Sequence, residues 1–381
     1  MLRLRWVAAA CAALLGVVVL AAASGEDDKA SLMRRFDAPS RGSSASAAKS
    51  TPTPKPKPIP LRRLVGQRVM AGFAGLTPPR SVLRQARRGE LGGVILFYGN
   101  ISSPSQVRRL TARLQRAARR GHSPPLLIAV DQEGGSVHRF ATAPPSRSAA
   151  QMGATGSTAT ARHEGRDTGR FLRSVGVNLD LAPVADLGLP GGFITADARA
   201  FSSDPRAVAD FAGAFVAGLH AGGVWATAKH FPGLGTAPVS TDIQAASLPL
   251  TRAQLERNLI PYRALIAGGV DVVMLSMASY PTIARGGRPA ALTRSIYALL
   301  RERLRFGGLT ITDSLAAPSG LAPGTVALKA ARAGADVLLA PGSGRPAYAA
   351  LIHAARAGQL SRTGLMAAYR RILAAKARLP R

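Results

Sequence analysis

The 381-residue sequence has one cysteine, few aromatic residues and few acidic residues. The single cysteine, Cys11, lies in an apolar N-terminal stretch, so disulfides, cysteine-ligated zinc and thiol catalysis are excluded for the rest of the chain. Aromatic residues make up only 5% of the sequence and are not interleaved with its basic residues, as they are in nucleic-acid platforms. We therefore expect no specific nucleic-acid partner.

Acidic residues are scarce relative to basic ones, with 20 Asp and Glu against 50 Lys and Arg and a formal net charge of +30. This balance favours electrostatic association with polyanions, among them the anionic polymers of a cell envelope. The basic residues are mostly arginines scattered singly, which also fits solvated helix faces.

Several catalytic signatures are missing from the sequence. Its six histidines show no metal-ligand spacing, and there is neither a phosphate-binding loop nor a Gly-x-Ser-x-Gly nucleophile elbow. We expect no cofactor and no metal.

The first 60 residues have the composition of a targeting segment followed by a spacer. Residues 1–24 combine Arg3 and Arg5 with an apolar stretch and small residues near its end, which predicts a signal peptide; an uncleaved signal anchor is the alternative. Residues 25–60 are rich in Ser, Pro and Lys and are expected to form a disordered spacer. The protein is thus predicted to be exported, either secreted or anchored to the cell envelope, with membrane contact only through its N-terminal segment.

Between residues 61 and 381, short apolar runs alternate with amphipathic stretches of helix length. This alternation predicts a single α/β catalytic domain, a (β/α)8 TIM barrel. A doubly wound open sheet is the alternative, but no Gly-rich dinucleotide turn follows the first strand. The predicted strands are residues 69–73, 93–97, 126–130, 177–181, 225–228, 270–275, 309–312 and 337–340.

Polar side chains follow three of these predicted strands. The third strand leads into the run Asp131 to Arg139, the fifth into Lys229 and His230, and the seventh into Asp313. Because active sites of barrels gather at the carboxyl ends of the strands, we expect these side chains to surround one polyhydroxylated ligand.

Five motifs occur in a fixed order along the sequence: the Asp131 to Arg139 run, residues 178–186, Arg199-Ala200-Phe201, the Lys229 to Gly235 run and Thr312-Asp313-Ser314-Leu315. Their order resembles that of the N-terminal catalytic domain of glycoside hydrolase family 3, and in particular its single-domain β-N-acetylglucosaminidases that act on cell-wall muropeptide fragments. The resemblance covers about residues 62–375. It implies a retaining, exo-acting hydrolase of terminal β-linked N-acetylglucosamine that works through a covalent glycosyl-enzyme intermediate.

The resemblance also implies roles for single residues. Asp313 matches the family's nucleophile, although an Asp-Ser pair before an apolar segment is also typical of a helix N-cap. Asp131, Arg199, Lys229 and His230 match positions that hydrogen-bond the hydroxyls of the terminal sugar. For His230, a buried imidazole that bridges strands is the alternative.

Two further carboxylates near these motifs are given no catalytic role. Glu133 is expected to orient the turn at Gly134 and Gly135, and for Asp186, after the fourth predicted strand, a loop cap is an equal alternative to a role in the site.

One part of the family pattern is absent. The relatives continue the Pro-Gly segment with His-Gly and then carry Asp-Ser-His, whose Asp–His pair is the general acid/base. Here Leu234 and the triplet Ser240-Thr241-Asp242 occupy these places, and Met277 also stands where a histidine is expected.

Asp242 is the only carboxylate in this loop, so we predict that it replaces the imidazole as acid/base. One alternative is a catalytically impaired glycan-binding protein of the cell envelope, for which the loop is a simple Thr-Asp turn. Another is a family 3 hydrolase with a different sugar specificity.

Overall fold

The computed structural model describes residues 58–380. The predicted signal segment, residues 1–24, and most of the predicted spacer lie outside the described residues. In the described part of the chain, no helix has both the length and the apolar character needed to cross a membrane.

Eight parallel strands and a short antiparallel hairpin make up the strands of the described residues. In chain order the strands are β1 (Val69–Ala71), β2 (Gly93–Ile95), β3 (Leu127–Val130), β4 (Gln132–Gly134), β5 (Val137–His138), β6 (Leu179–Asp180), β7 (Thr227–Phe231), β8 (Val272–Leu275), β9 (Leu309–Thr312) and β10 (Leu338–Ala340). One parallel sheet has the order β10-β1-β2-β3-β6, and a second has the order β7-β8-β9. The hairpin β4–β5 is separate from both.

Backbone hydrogen bonds at two junctions join the two sheets into a ring. The amide of Asp180 donates to the carbonyl oxygen of Trp225 at 2.8 Å, next to a parallel bridge between Leu179 and Trp225. The amide of Thr312 donates to the carbonyl oxygen of Val337 at 3.1 Å, next to a bridge between Ile311 and Val337. Each of the eight parallel strands thus has a neighbour on both sides, and the fold is the predicted (β/α)8 barrel.

Helices follow the strands and surround the ring. Several begin at side chains that accept a hydrogen bond from the first turn: Ser103 from the amide of Gln106, and Thr251 from that of Gln254. The helices are α1 (Leu61–Gly66), α2 (Arg80–Arg88), α3 (Pro104–Arg120), α4 (Ala149–Ala154), α5 (Thr158–Ser174), α6 (Phe193–Ala196), α7 (Pro205–Ala221), α8 (Arg252–Ala267), α9 (Arg294–Ala298), α10 (Pro323–Ala333), α11 (Arg345–Arg356) and α12 (Arg362–Lys376).

Alternate residues along the strands divide the apolar interior into two cores. Met70 lies in the core inside the barrel, whereas its neighbours Val69 and Ala71 belong to the core between strands and helices. Ile372 and Ala375 of α12 also belong to the inner core, so this last helix closes one end of the barrel. The opposite end stays free for a site.

Charged groups are buried where the strands begin, on the side of α12. Asp336, fully buried just before β10, accepts hydrogen bonds from Arg371 at 2.8 Å, from Arg301 at 2.5 Å and from the amide of Thr310 at 3.0 Å. These bonds tie the start of β9 to the start of β10, where the ring closes.

One strand differs in position from its prediction. The strand predicted at 225–228 is displaced: β7 runs from Thr227 to Phe231 because Phe231 still pairs with β8, so Lys229 and His230 lie within the strand. Two other segments have a local structure that the sequence did not predict. The run after Asp131 forms the hairpin β4–β5, and α9 ends at Ala298, where a π-helical turn follows it.

Candidate active site

A cavity of about 280 Å³ opens at the carboxyl ends of the parallel strands. Its sides come from β7 and from the segments after β3, β6, β7 and β9, which the ring brings together from distant parts of the sequence. All six side chains that the sequence singled out line it: Asp131, Arg199, Lys229, His230, Asp242 and Asp313.

Four charged side chains form a continuous ion-paired cluster in the cavity wall. Nζ of Lys229 lies 2.9 Å from Oδ1 of Asp131 and 2.6 Å from Oε1 of Glu133. Arg199 donates two parallel hydrogen bonds to the Glu133 carboxylate, from Nε at 2.8 Å and from Nη2 at 2.9 Å. Glu133 therefore does more than orient a turn: it fixes both Lys229 and Arg199.

Opposite charges keep this cluster ionised. Burial alone would raise the pKa of Glu133, but Arg199 and Lys229 outweigh it and lower the pKa to about 2. Burial also opposes ionisation of Asp131, yet Lys229 and Arg139 lower its pKa. The pKa of Lys229 is raised despite its burial, because Asp131 and Glu133 stabilise the ammonium.

Asp186 anchors the loop that follows β7. Its carboxylate is buried and lies 2.7 Å from Nδ1 of His230. It also accepts hydrogen bonds from the backbone amides of His230 at 3.2 Å and Leu234 at 2.7 Å. Because Asp186 occupies Nδ1, Nε2 is the nitrogen that His230 has available for a ligand in the cavity it lines.

Asp313 stands at the end of the buried strand β9. Its backbone amide donates to the carbonyl oxygen of Leu275 in β8 at 2.8 Å, and its Oδ1 accepts from the amide of Ser314 at 2.7 Å. The alternative of a helix N-cap is wrong, because α10 does not begin until Pro323. The half-buried carboxylate is held rigidly at the cavity.

Asp242 reaches the same cavity from the loop between β7 and α8. Its side chain is exposed, and its backbone amide donates to the hydroxyl of Ser240 at 3.3 Å. The surrounding loop removes part of its hydration, and this effect, with the negative charge of Asp313, raises the pKa of Asp242. The cavity thus contains a carboxyl group that holds its proton more firmly than usual and a second, strand-anchored carboxylate.

Comparison with known families identifies the class of this barrel. Residues 65–375 match the model of the glycosyl hydrolase family 3 N terminal domain. The chain belongs to glycosyl hydrolase family 3.

Named relatives agree with this assignment. An uncharacterized secreted glycosyl hydrolase of Arthroderma benhamiae is 35% identical over 329 residues, which are 82% of this chain and 92% of the relative. A beta-hexosaminidase of Xanthomonas oryzae pv. oryzae is 38% identical over 284 residues, 71% of this chain and 82% of the relative. The family 3 chain is a glycosidase similar to beta-hexosaminidases.

A solved structure supports the same conclusion. The family 3 beta-N-acetylglucosaminidase from Paenibacillus sp. str. FPU-7 superimposes with a TM-score of 0.81 and is 33% identical, covering 84% of this chain. The match covers 63% of that chain, so the present chain spans less than two thirds of its length.

Arg139 is a cavity residue of the family 3 chain that the predicted set omitted. The hairpin β4–β5 turns at Gly135, whose φ of +62° favours glycine, and brings the guanidinium to 3.3 Å from Oδ2 of Asp131. The same guanidinium lies over the ring of Tyr98, 4.7 Å from its centroid. The sequence motif contained Arg139, but the hairpin that turns its side chain back to Asp131 was not predicted.

The positions that depart from the family pattern lie in different surroundings. Leu234 is buried and lines the cavity, whereas Met277 is buried in the core and is not part of the lining. Within residues 58–380, no three His, Cys, Asp or Glu side chains are arranged to hold a metal ion.

Proposed function

We propose that this family 3 protein is an exo-acting, retaining β-N-acetylglucosaminidase with Asp313 as nucleophile and Asp242 as general acid/base. The observation that carries the proposal is that both carboxyl groups line one cavity, where partial burial and the charge of Asp313 raise the pKa of Asp242. One ionised and one protonated carboxyl group are what double-displacement hydrolysis of a glycoside requires.

In the first step, a carboxylate oxygen of Asp313 attacks the anomeric carbon of the terminal sugar. Asp242 transfers its proton to the glycosidic oxygen as the bond between that oxygen and the anomeric carbon breaks, and the remaining chain leaves as an alcohol. The sugar is then esterified to Asp313, and Asp242 is ionised.

In the second step, Asp242 takes a proton from a water molecule whose oxygen attacks the same carbon. The bond to Asp313 breaks, and both carboxyl groups return to their starting states. Each displacement inverts the anomeric centre, so the product keeps the β configuration of the substrate.

The ion-paired cluster supports recognition of a sugar. We assign the hydroxyl contacts to Asp131, Arg199, Lys229 and His230, which offer both donors and acceptors from the cavity wall. The cavity ends on Met274 and Leu339, which belong to the inner core of the barrel. A chain that enters from the mouth presents only its last sugar to Asp313, which supports exo action.

We further infer export and action on cell-wall or muropeptide-type glycans. This inference is supported by the composition of residues 1–24, by the formal net charge of +30 and by the relative that is named as secreted. The same positive charge supports association with anionic envelope polymers.

The decisive experiment is hydrolysis of 4-nitrophenyl N-acetyl-β-D-glucosaminide by the wild type and by Asp313→Ala and Asp242→Ala, each with and without azide. We expect Asp313→Ala to lose hydrolytic activity. With azide present it should form an α-glycosyl azide, because azide attacks the anomeric carbon directly and inverts its configuration once. Asp242→Ala should still form the intermediate and give a β-glycosyl azide after two inversions.

Other results would contradict these assignments. Azide products of the same configuration from both variants would remove the distinction between nucleophile and acid/base. No turnover by the wild type, with muropeptide still bound in calorimetry, would establish the glycan-binding alternative. Faster turnover of the 4-nitrophenyl glucoside than of the N-acetylglucosaminide would replace the proposed sugar specificity.

A further inference from the structure

A positively charged groove of about 870 Å³ lies between α2 and α11, on the outside of the barrel. Arg84 and Arg88 line it from α2, and Arg345 and Arg356 line it from α11. The acidic residue of the lining, Glu90, lies 4.0 Å from Arg88. The other three arginines are exposed and have no carboxylate partner within residues 58–380, so the groove carries a net positive charge.

Shared lining residues place this groove beside the catalytic cavity. An apolar depression of about 380 Å³ lies between them: Pro341 lines both the cavity and the depression, and Ser343 and Pro346 line both the depression and the groove. Pro341 and Ser343 are two residues apart, so their Cα atoms are separated by at most about 7 Å. The amide of Gly72, just after β1, donates to the carbonyl oxygen of Gly342 at 2.7 Å and holds this connection in place.

We propose that the groove binds the negatively charged groups of an anionic glycan whose terminal sugar occupies the catalytic cavity. The leaving part of the chain crosses the apolar depression, where the apolar faces of its sugar rings pack against Pro341. Its carboxylate or phosphate groups then reach the arginines, whose planar guanidinium groups bind such anions in pairs of hydrogen bonds. The proposal rests on the proposed glycosidase function and adds a substrate class, a polyanionic chain.

Three substrates that end in β-linked N-acetylglucosamine test this proposal. One is a hyaluronan oligosaccharide, which carries carboxylates; the second is a neutral chito-oligosaccharide of equal length; the third is a glycerol-phosphate polymer substituted with the sugar. At low salt we expect kcat/KM to be about tenfold higher for an anionic chain than for the neutral one, and this advantage should shrink as salt is added.

Charge reversal locates the effect. The double variant Arg84→Glu/Arg356→Glu should lose the anionic advantage and keep the wild-type rate on the neutral chain. The matched control is Arg206→Glu/Arg257→Glu, at exposed positions on α7 and α8. These helices follow β6 and β7, which lie across the ring from β10 and β1, so the net charge changes equally at a distant place.

Each outcome decides the proposal. The proposal is supported if only the groove variant loses the higher kcat/KM on anionic chains. Which anionic chain is affected then identifies whether the groove binds a carboxylate or a phosphate. Equal loss in variant and control, or no anionic advantage in the wild type, overturns it. If no chain is hydrolysed, the glycosidase function fails, and calorimetric binding of the anionic chains to variant and control then tests the groove by itself.

Discussion

At the scale of single residues, Glu133 determines the charge balance of the cavity. Its pKa of about 2, against an ordinary 4.5, corresponds to about 3 kcal/mol of stability in the ionised form. Because folding lowers the pKa of this carboxyl group, the added stability is fully present at pH values above the pKa of the same group in the unfolded chain. It is lost as the pH falls from about 5 toward 2, because the unfolded chain takes up the proton first.

We therefore expect Glu133→Gln to be less stable than the wild type by about 3–5 kcal/mol at pH 7, because Lys229 and Arg199 lose their shared partner. The difference should shrink as the pH is lowered from 5 to 2. Urea denaturation followed by circular dichroism at several pH values measures it. The exposed Glu302→Gln is the control, and a Glu133→Gln difference that does not change with pH would contradict the linkage.

The raised pKa of Asp242 leads to a prediction for the pH–rate profile. The acid must hold its proton, so the rate should fall as the pH rises through its pKa, and this limb should lie above the usual range of an aspartate. With chitobiose, whose leaving group needs a proton, Asp242→Asn should reduce kcat by roughly a hundredfold to ten-thousandfold. The loss should be smaller with a nitrophenyl leaving group, and equal losses on both substrates would speak against acid catalysis by Asp242.

At the scale of elements, the loop after β7 depends on the carboxylate of Asp186. Asp186→Ala leaves the amides of His230 and Leu234 without their acceptor, at a cost of about 1–3 kcal/mol per buried group. We expect a lower melting temperature and a higher KM, because His230 is no longer oriented. Asp186→Asn, which keeps an acceptor oxygen, should recover much of the stability. If both variants keep the wild-type KM, Asp186 holds the loop and does not position His230.

The sequence predicted the eight strands because each is a short apolar run that is separated from the next by a stretch of helix length, and three of these runs end in polar residues, as at Thr312-Asp313. It missed the continuation of β7 through Lys229 and His230, since pairing with β8 overrides the polar character of these residues. Four of the predicted cavity residues, Asp131, Lys229, His230 and Asp313, were visible as polar groups at strand ends, whereas Arg199 and Asp242 were assigned only through the resemblance to the family motifs. The sequence did not predict the role of Glu133. This role depends on ion pairs with residues distant in the sequence, such as Arg199, which is 66 positions away.

At the scale of the whole molecule, the two ends of the barrel separate stability from binding. Asp336 joins β9 to β10 at the end closed by α12, opposite the cavity. Asp336→Ala should lower the free energy of unfolding by about 3–5 kcal/mol, because Arg301 and Arg371 lose a buried partner. Below the melting transition, KM should stay at the wild-type value. Thermal unfolding and steady-state kinetics on the same sample check this, and a changed KM would show that the two ends are coupled.

The cluster of Asp131, Glu133, Lys229 and Arg199 pairs its charges within the protein. Asp242 and Asp313 bring two more acidic groups to the same cavity, and within residues 58–380 neither of them is ion-paired with a cation of the protein. A ring-shaped amine of sugar-like form would supply that cation. Its ammonium would favour the ionised state of both acids, so it would be retained more strongly than an uncharged sugar. The arrangement that we propose to protonate a leaving group therefore also predicts inhibition by basic sugar analogues.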